Sequence, residues 1–161
     1  MFDIGDFAPD FTLPAITGAG KDMSLSLAAL RGQPVVLFFY PRDATPTCTL
    51  EAVAFSTRAA EFAALGAQVI GISKDSLDAH RKFLARKHLA LILASDAASD
   101  ICEQYGAWGP KKLFGRAYQG ILRNTYLIDS GGRIAAIWQG VKVEGHDEAV
   151  LAALKGMEIR P

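Results

Sequence analysis

A cysteine at position 48 stands where an apolar stretch gives way to a helix, in the run Pro41-Arg-Asp-Ala-Thr45-Pro46-Thr-Cys48. Thr45 is a suitable N-cap and Pro46 a suitable first helical residue, because proline lacks the N–H that would be unpaired there. Cys48 then lies near the third helical position, among unpaired N–H groups at the positive end of the helix dipole. Because this position favours the nucleophilic thiolate, the run predicts a reactive cysteine.

The alternative is that Cys48 is an inert core residue, since free cysteines are among the most buried side chains in proteins. A thiol in water has a pKa of about 8.5, so an unassisted cysteine is mostly protonated at neutral pH. Pro41, Thr45 and Pro46 around the sulfur favour the reactive interpretation over the inert one.

The spacing Pro41-x-x-x-Thr45-x-x-Cys48 resembles the active-site motif of the peroxiredoxins, and the wider run 40–52 is similar to their Q-type branch, the bacterioferritin-comigratory-protein group. The resemblance extends from Gly5 to the last strand. It implies a thiol-dependent peroxidase, an antioxidant oxidoreductase of cell redox homeostasis, that needs no bound cofactor. Its expected reaction reduces hydrogen peroxide and organic hydroperoxides to water and alcohols through a Cys48 sulfenic acid.

The resemblance also implies which side chains assist Cys48. Arg123, in Gly120-Ile-Leu-Arg123-Asn-Thr, would hold the thiolate and a peroxide oxygen, although a solvated strand arginine is the alternative. Thr45 would accept a hydrogen bond from the peroxide and orient it, whether or not it also caps the helix. Pro41 would shield the sulfur from bulk water. Glu51 is interpreted as a first-turn carboxylate favoured by the helix dipole, and it could also bond near Arg123.

The chain departs from this family at its second cysteine. Many Q-type members carry a resolving cysteine five residues after the peroxidatic one, where this chain has Val53, and another branch carries it on the following helix, where residues 76–88 contain none. We therefore predict a one-Cys mechanism in which thioredoxin, glutaredoxin or a small thiol reduces the enzyme. Two alternatives remain for Cys102: an unusual resolving cysteine that pairs with Cys48, within or between chains, or a half-buried helix residue without a redox role.

The elements that position these residues follow from the periodicity of the apolar residues. The continuous apolar run Val35–Tyr40 predicts a central strand that is covered on both faces. Further strands are predicted over 67–73, 89–93, 123–128 and 133–138, and helices over 46–65, 76–88, 99 or 100 to 105, and 147–154, with a basic loop over 109–120. This alternation predicts an α/β fold with a mixed central sheet flanked by helices. Its order resembles the thioredoxin-like fold with an N-terminal hairpin extension, as one domain over residues 1–161.

Composition narrows the range of partners. Lys and Arg number 17, and Asp and Glu also number 17, so a net charge of zero favours neither nucleic acid nor an anionic membrane as partner. No apolar run reaches the roughly 18 residues needed to span a bilayer. With no signal-peptide pattern at the start and only two cysteines, we predict a cytoplasmic protein, as a monomer or weak homodimer.

His80, His88 and His146 lack metal-ligand spacing, so they are interpreted as surface or core residues and no metal is predicted.

Two other functions compete with the peroxidase. A disulfide oxidoreductase on the same fold would carry a second cysteine three residues before Cys48, where this chain has Thr45. A non-catalytic chaperone or interaction module would keep the fold without needing the set of Pro41, Thr45, Cys48 and Arg123. Basic side chains of the predicted loop, at 111, 112 and 116, could help to dock a reductant.

Overall fold

Strands and helices alternate over most of the chain in its computed structural model, which describes residues 2–158, so the predicted domain of residues 1–161 extends outside the described residues at both ends. The strands are β1 Thr12–Ile16, β2 Asp22–Ser26, β3 Val35–Phe39, β4 Gln68–Ser73, β5 Ile92–Ser95, β6 Trp108–Leu113, β7 Arg116–Ile121, β8 Thr125–Ile128 and β9 Ile134–Trp138. The helices are α1 Pro46–Thr57, α2 Ala59–Ala64, α3 Leu77–Lys87, α4 Ile101–Gln104 and α5 His146–Glu158, with a 3-10 turn at Ala28–Leu30.

A mixed sheet organises residues 2–158, with seven strands in the order β2-β1-β5-β4-β3-β8-β9. The three central strands β5, β4 and β3 are parallel, because α1 and α2 connect β3 to β4 and α3 connects β4 to β5. The antiparallel pair β8–β9 lies beside β3, and the N-terminal hairpin β1–β2 lies beside β5. The predicted mixed α/β fold with an N-terminal hairpin is confirmed. None of the helices in the described part of the chain is long and apolar enough to cross a membrane.

The central strand β3 divides the buried side chains into two cores, because successive side chains of a strand point to opposite faces of a sheet. One core contains Leu37 and Phe39 together with residues of α4, β1 and β2. The other contains Phe38 together with residues of α1, α2, α3 and α5. Cys102 belongs to the first core and Cys48 to the second, so the sheet lies between the two cysteines.

The prediction of a basic loop over 109–120 is wrong, because β6 and β7 pair there over their whole lengths as an antiparallel hairpin. Gly109 and Pro110 are weak strand formers, and β7 is mostly exposed, so no alternation of apolar residues marks these strands. Their two-residue turn, Phe114-Gly115, has φ of 51° and 77°, as a type I′ turn requires. Such turns are usually marked by Asn-Gly in a sequence, and phenylalanine gave no such signal.

Two other predicted elements have different bounds. The predicted helix over 46–65 is interrupted at Arg58, whose guanidinium binds Asp147 at the start of α5 and thereby ties the break to a distant helix. The predicted strand over 89–93 is displaced to β5, because the Leu89 N–H still bonds to the C-terminal end of α3. Both differences arise from contacts between segments that periodicity within one segment does not report.

The N-terminal arm lies along β9, at one outer edge of the sheet. The Gly5 N–H donates to the Ile134 carbonyl, and the Ile134 N–H donates to the Asp6 carbonyl, both at 2.8 Å. The Arg133 guanidinium stacks 4.0 Å from the centre of the Phe7 ring, a distance that suits a cation–π contact. The arm is therefore held by backbone hydrogen bonds and by a side-chain contact.

Candidate active site

The start of α1 presents Cys48 as its third residue. Thr45 has the extended backbone of an N-cap, and its carbonyl accepts the first helical hydrogen bond from the Thr49 N–H at 2.8 Å. Pro46 is the first helical residue, as predicted. The Thr45 hydroxyl makes no cap hydrogen bond and instead donates to the Arg42 carbonyl at 2.9 Å. Its oxygen lone pairs therefore remain free to accept a hydrogen bond, and the first-turn N–H groups keep their partial positive charge.

The Arg123 guanidinium binds two acidic groups of α1 at once. Its Nη2 donates to the Cys48 sulfur at 3.3 Å, and its Nη1 donates to Glu51 Oε1 at 2.8 Å. Burial acts to lower the pKa of Arg123, but the bonds to Cys48 and Glu51 outweigh it and hold that pKa above its usual value. The guanidinium therefore brings a permanent positive charge against a sulfur whose residue is only 2% exposed.

The backbone on both sides of Arg123 is fixed by neighbouring segments. The Val141 N–H donates to the Arg123 carbonyl at 2.8 Å, and the Phe39 N–H at the end of β3 donates to the Asn124 carbonyl at 2.8 Å. The strand predicted over 123–128 begins only at Thr125, so Arg123 lies in the connection between β7 and β8. This connection sits beside the C-terminal end of β3, which leads to the cysteine.

Glu51 is the sixth residue of α1, so the prediction of a first-turn carboxylate is wrong. Its side chain is buried, with only 1% of its surface exposed. Burial raises the pKa of Glu51 to about 7, and the bond to Arg123 acts in the opposite direction. Its second oxygen, Oε2, has no hydrogen-bond partner within residues 2–158. The predicted contact between Glu51 and Arg123 is present, and Glu51 lies on the same side of α1 as Cys48 because the two are three residues apart.

Asp43 anchors the loop between β3 and α1 to the interior. Its carboxylate accepts a 2.6 Å hydrogen bond from the Tyr40 hydroxyl and lies 2.6 Å from His80 Nδ1, while its N–H donates to Asp75 at 2.9 Å. His80 Nε2 lies 3.0 Å from the Ala94 carbonyl, which can only accept, so Nε2 carries a proton. A second proton must then lie between Nδ1 and the Asp43 carboxylate.

The contacts of Asp43 explain why the next residue, Ala44, can have a left-handed backbone conformation. Ala44 has a φ of 63°, a left-handed conformation that costs a residue with a side chain about 1–2 kcal/mol. The contacts of Asp43 hold the chain at this turn, so that Thr45 and Cys48 follow in the orientation described above. His80 is a core residue, one of the two predicted interpretations, but its pairing across 37 positions has no local sequence signal.

Replacing His80 by leucine should lower the free energy of unfolding by about 2–3 kcal/mol, because Asp43 would lose a buried hydrogen-bond partner that leucine cannot replace. Urea denaturation would measure this loss. The matched control is Lys87→Leu, an exposed substitution on the same helix, which should change the free energy by less than about 0.5 kcal/mol. Equal losses in the two variants would contradict the anchoring role of His80.

Cys102 lies apart from this arrangement and is completely buried. Its N–H donates to Asp96 Oδ2 at 2.8 Å, and Lys74 Nζ lies 3.1 Å from the same oxygen and 2.9 Å from Glu103. Burial first, and then the neighbouring Asp96, raise the pKa of the Cys102 thiol far above its usual value. A thiol that stays protonated is a poor nucleophile.

Within residues 2–158, two groups of side chains come close enough to hold a metal ion, although the spacing of the histidines gave no such indication. The first is Asp43, Asp75 and His80, and the second is Asp96, Cys102 and Glu103. The hydrogen bonds and ion pairs given above already satisfy most of these groups without an ion. These hydrogen bonds and ion pairs account for both clusters, because they hold the loops that carry the clusters in place.

The hairpin β6–β7 brings a second cation towards the cysteine. Lys111 Nζ donates to the Ile121 carbonyl at 2.8 Å, and burial together with the nearby Arg123 lowers the pKa of Lys111. Lys112 and Arg116 are less buried than Lys111, with Arg116 exposed on the hairpin. Of these three basic residues, Lys112 and Arg116 are exposed and Lys111 is half-buried.

Comparisons with known proteins agree with the resemblance seen in the sequence. A profile of the AhpC/TSA family matches residues 4–137. A Coxiella burnetii protein, provisionally assigned as peroxiredoxin Bcp, is 45% identical over 152 residues, which are 94% of this chain and 98% of that protein. Peroxiredoxin Bcp of Bacillus subtilis is 40% identical over 155 residues, which are 96% of each chain.

A solved structure shares the fold. The bacterioferritin comigratory protein of Xanthomonas campestris, studied as trapped intermediate and ligand complexes for its alkyl peroxide reduction activity, superposes with a TM-score of 0.81. It is 36% identical to this chain, and the match covers 90% of this chain and 91% of that one. The thioredoxin-like arrangement implied by the sequence is confirmed by this neighbour.

Proposed function

Because this chain belongs to the AhpC/TSA family, we propose that it is a thiol-dependent peroxidase that reduces hydrogen peroxide and organic hydroperoxides to water and alcohols. The observation that carries the proposal for the site is the 3.3 Å contact between the Arg123 guanidinium and the Cys48 sulfur at the start of α1. A cation and a helix N-terminus both favour the thiolate, which is the form that attacks a peroxide.

The reaction begins when the Cys48 thiolate attacks the terminal oxygen of the peroxide. A sulfur–oxygen bond forms and the oxygen–oxygen bond breaks, so that Cys48 becomes a sulfenic acid and the rest of the peroxide leaves as water or an alcohol after it gains a proton. The Arg123 donors stabilise the negative charge as it moves from sulfur to the leaving oxygen. Cys48 is only 2% exposed, so a slender peroxide group fits this site better than a bulky electrophile.

Thr45 and Pro41 orient and protect the reacting atoms. The Thr45 hydroxyl donates to the Arg42 carbonyl, so its oxygen is available to accept a hydrogen bond from the peroxide O–H. To Pro41, which is half-buried on the same loop and offers no N–H, we assign the shielding of the sulfur from bulk water. Together they favour the in-line approach that the displacement needs.

A one-Cys cycle is the second part of the proposal. Cys102 lies in the core on the opposite side of the sheet from Cys48, and its thiol is buried and held protonated. A disulfide requires Cα atoms closer than about 7 Å, which side chains from opposite faces of a sheet do not satisfy without rearrangement. An external thiol, from thioredoxin, glutaredoxin or a small molecule, would therefore reduce the Cys48 sulfenic acid. We place this cycle in the reducing cytoplasm, in a monomer or weak homodimer.

Trapping the oxidised cysteine tests both parts. After one equivalent of hydrogen peroxide, a sulfenic-acid reagent should label the Cys48 peptide, and mass spectrometry of the unreduced digest should show Cys102 as a free thiol. Cys102→Ala should keep the rates of oxidation and of recycling by an external thiol within about twofold, because Cys102 does not touch the site. A Cys48–Cys102 disulfide would refute the one-Cys cycle, and peroxide consumption without any change at Cys48 would refute the assigned site.

A further inference from the structure

The guanidinium of Arg123 is shared by two acids, Cys48 and Glu51, and the set is largely enclosed. Glu51 is 1% exposed, Cys48 is 2% exposed, and the Arg123 side chain is 14% exposed. Lys111 of β6 also faces Arg123 and Cys48, and its nitrogen donates to the Ile121 carbonyl. The protonation of Glu51 and that of Cys48 are therefore coupled through one cation.

Arg123 can balance one negative charge, so ionising both acids would leave an excess charge in a poorly solvated site. Oε2 of Glu51 receives no hydrogen bond from residues 2–158, so a negative charge on this carboxyl group would be poorly stabilised. Burial raises the pKa of Glu51 to about 7, which likewise favours the protonated carboxyl group. With the proton on Glu51, the positive charge of Arg123 is left to act on the Cys48 sulfur.

The reaction creates a use for that proton. Breaking the oxygen–oxygen bond of hydrogen peroxide or an alkyl hydroperoxide releases a strongly basic oxygen, hydroxide or alkoxide, unless a proton arrives with it. Glu51 lies three residues after Cys48 on the same side of α1, where side-chain neighbours are about 5–6 Å apart at Cβ. Both groups also bond to the same guanidinium, at 2.8 Å and 3.3 Å, so the carboxyl group lies beside the reacting sulfur.

We propose that Glu51 is the general acid of the reaction, which gives its proton to the leaving oxygen as Cys48 takes the other oxygen. The inference rests on the proposed function. In the first step Cys48-S⁻, Glu51-COOH and ROOH give Cys48-SOH, Glu51-COO⁻ and ROH. One external thiol then converts the sulfenic acid to a mixed disulfide and water, and a second releases Cys48-SH and the external disulfide. Transfer of the Cys48 thiol proton to Glu51-COO⁻ restores the starting state, so the cycle balances without a free proton.

Glu51→Gln separates proton donation from support of Arg123, because the amide oxygen still accepts from the guanidinium but the group carries no acidic proton. The leaving group of hydrogen peroxide is hydroxide, which needs that proton. The leaving group of peracetic acid is acetate, a stable anion that needs none. In single-turnover stopped-flow measurements at neutral pH, the substitution should slow the oxidation of Cys48 by hydrogen peroxide about 100-fold and that by peracetic acid only a few-fold. Glu61→Gln, at a side chain that is 54% exposed, is the matched control and should change neither rate.

The two oxidants distinguish the possible failures. Equal slowing of both reactions in Glu51→Gln would show that Glu51 only positions Arg123, and this would overturn the inference. If the wild-type protein reacted with neither oxidant at Cys48, the proposed function itself would fail. A rate with hydrogen peroxide that is unchanged in Glu51→Gln would also overturn the inference while leaving the peroxidase intact.

The wild-type protein provides a second readout that does not depend on the folding of a variant. Iodoacetamide alkylates the Cys48 thiolate with loss of iodide, which needs no proton, so its rate follows the ionised fraction of the sulfur. The ratio of the hydrogen peroxide rate to the iodoacetamide rate should fall as the pH rises through about 7, where Glu51 loses its proton. A constant ratio across this range would overturn the assignment.

Discussion

Replacing Cys48 by serine should abolish peroxide consumption while leaving the fold intact. The change exchanges one atom, and the serine hydroxyl can still accept the hydrogen bond that Arg123 donates. A hydroxyl is not ionised by this environment at neutral pH and does not accept an oxygen atom from a peroxide as sulfur does. The measurement is the loss of hydrogen peroxide with dithiothreitol as reductant, together with a thermal unfolding curve for each protein.

Cys102→Ala is the matched control for this substitution, because both residues are buried cysteines but they lie on opposite sides of the sheet. It should consume peroxide at the wild-type rate. Full activity in Cys48→Ser would exclude Cys48 as the peroxidatic residue. Loss of activity in both variants would instead assign a redox role to Cys102, in disagreement with its buried and protonated thiol.

Replacing Arg123 by methionine should slow the reaction of Cys48 with hydrogen peroxide about 10²- to 10³-fold, the range found when a donor to developing negative charge is removed. Methionine keeps the length and the apolar stem of the side chain but removes both donors, to Cys48 and to Glu51. The sulfur then loses the charge that favours the thiolate, and the leaving oxygen loses its stabilising donor. Stopped-flow measurement of single-turnover oxidation gives the rate.

Two further substitutions define what the guanidinium contributes. Arg123→Lys keeps the charge but replaces the planar fork by a single ammonium, so its rate should lie between those of the wild type and the methionine variant. Arg116→Met removes an exposed arginine from the nearby hairpin and should leave the rate unchanged. A wild-type rate in Arg123→Met would show that the 3.3 Å contact with sulfur has no part in the chemistry.

The start of α1 was readable from the sequence because its signals are local. The apolar run of β3, the N-cap residue and the proline at the first helical position all lie within a few residues of Cys48 along the chain. Together they locate Cys48 in the first turn of α1. The role of Arg123 was available only through the resemblance, since its contact with Cys48 spans 75 positions. The family motif indicates that Arg123 lies near Cys48, which the periodicity of apolar residues cannot indicate.

Other parts of the site could not be predicted because they depend on distant packing. Glu51 was expected in the first turn of a helix, but its bond to Arg123 depends on contact between α1 and the connection before β8. The contact between Asp43 and His80 requires α3 and the loop after β3 to meet. Nothing in the sequence of either segment indicates that it contacts the other. The hairpin β6–β7 was missed because exposed strands rich in glycine and lysine lack a hydrophobic pattern.

The N-terminal arm along β9 has a consequence for self-association. The outer strand of a sheet offers unpaired N–H and carbonyl groups, which a second copy of a protein can use to continue the sheet. Here the chain's own residues 5 and 6 already occupy part of that strand at Ile134. A dimer built by continuing the sheet at β9 would first have to displace this segment. Pairing of two copies through this edge therefore costs the hydrogen bonds that join the arm to Ile134.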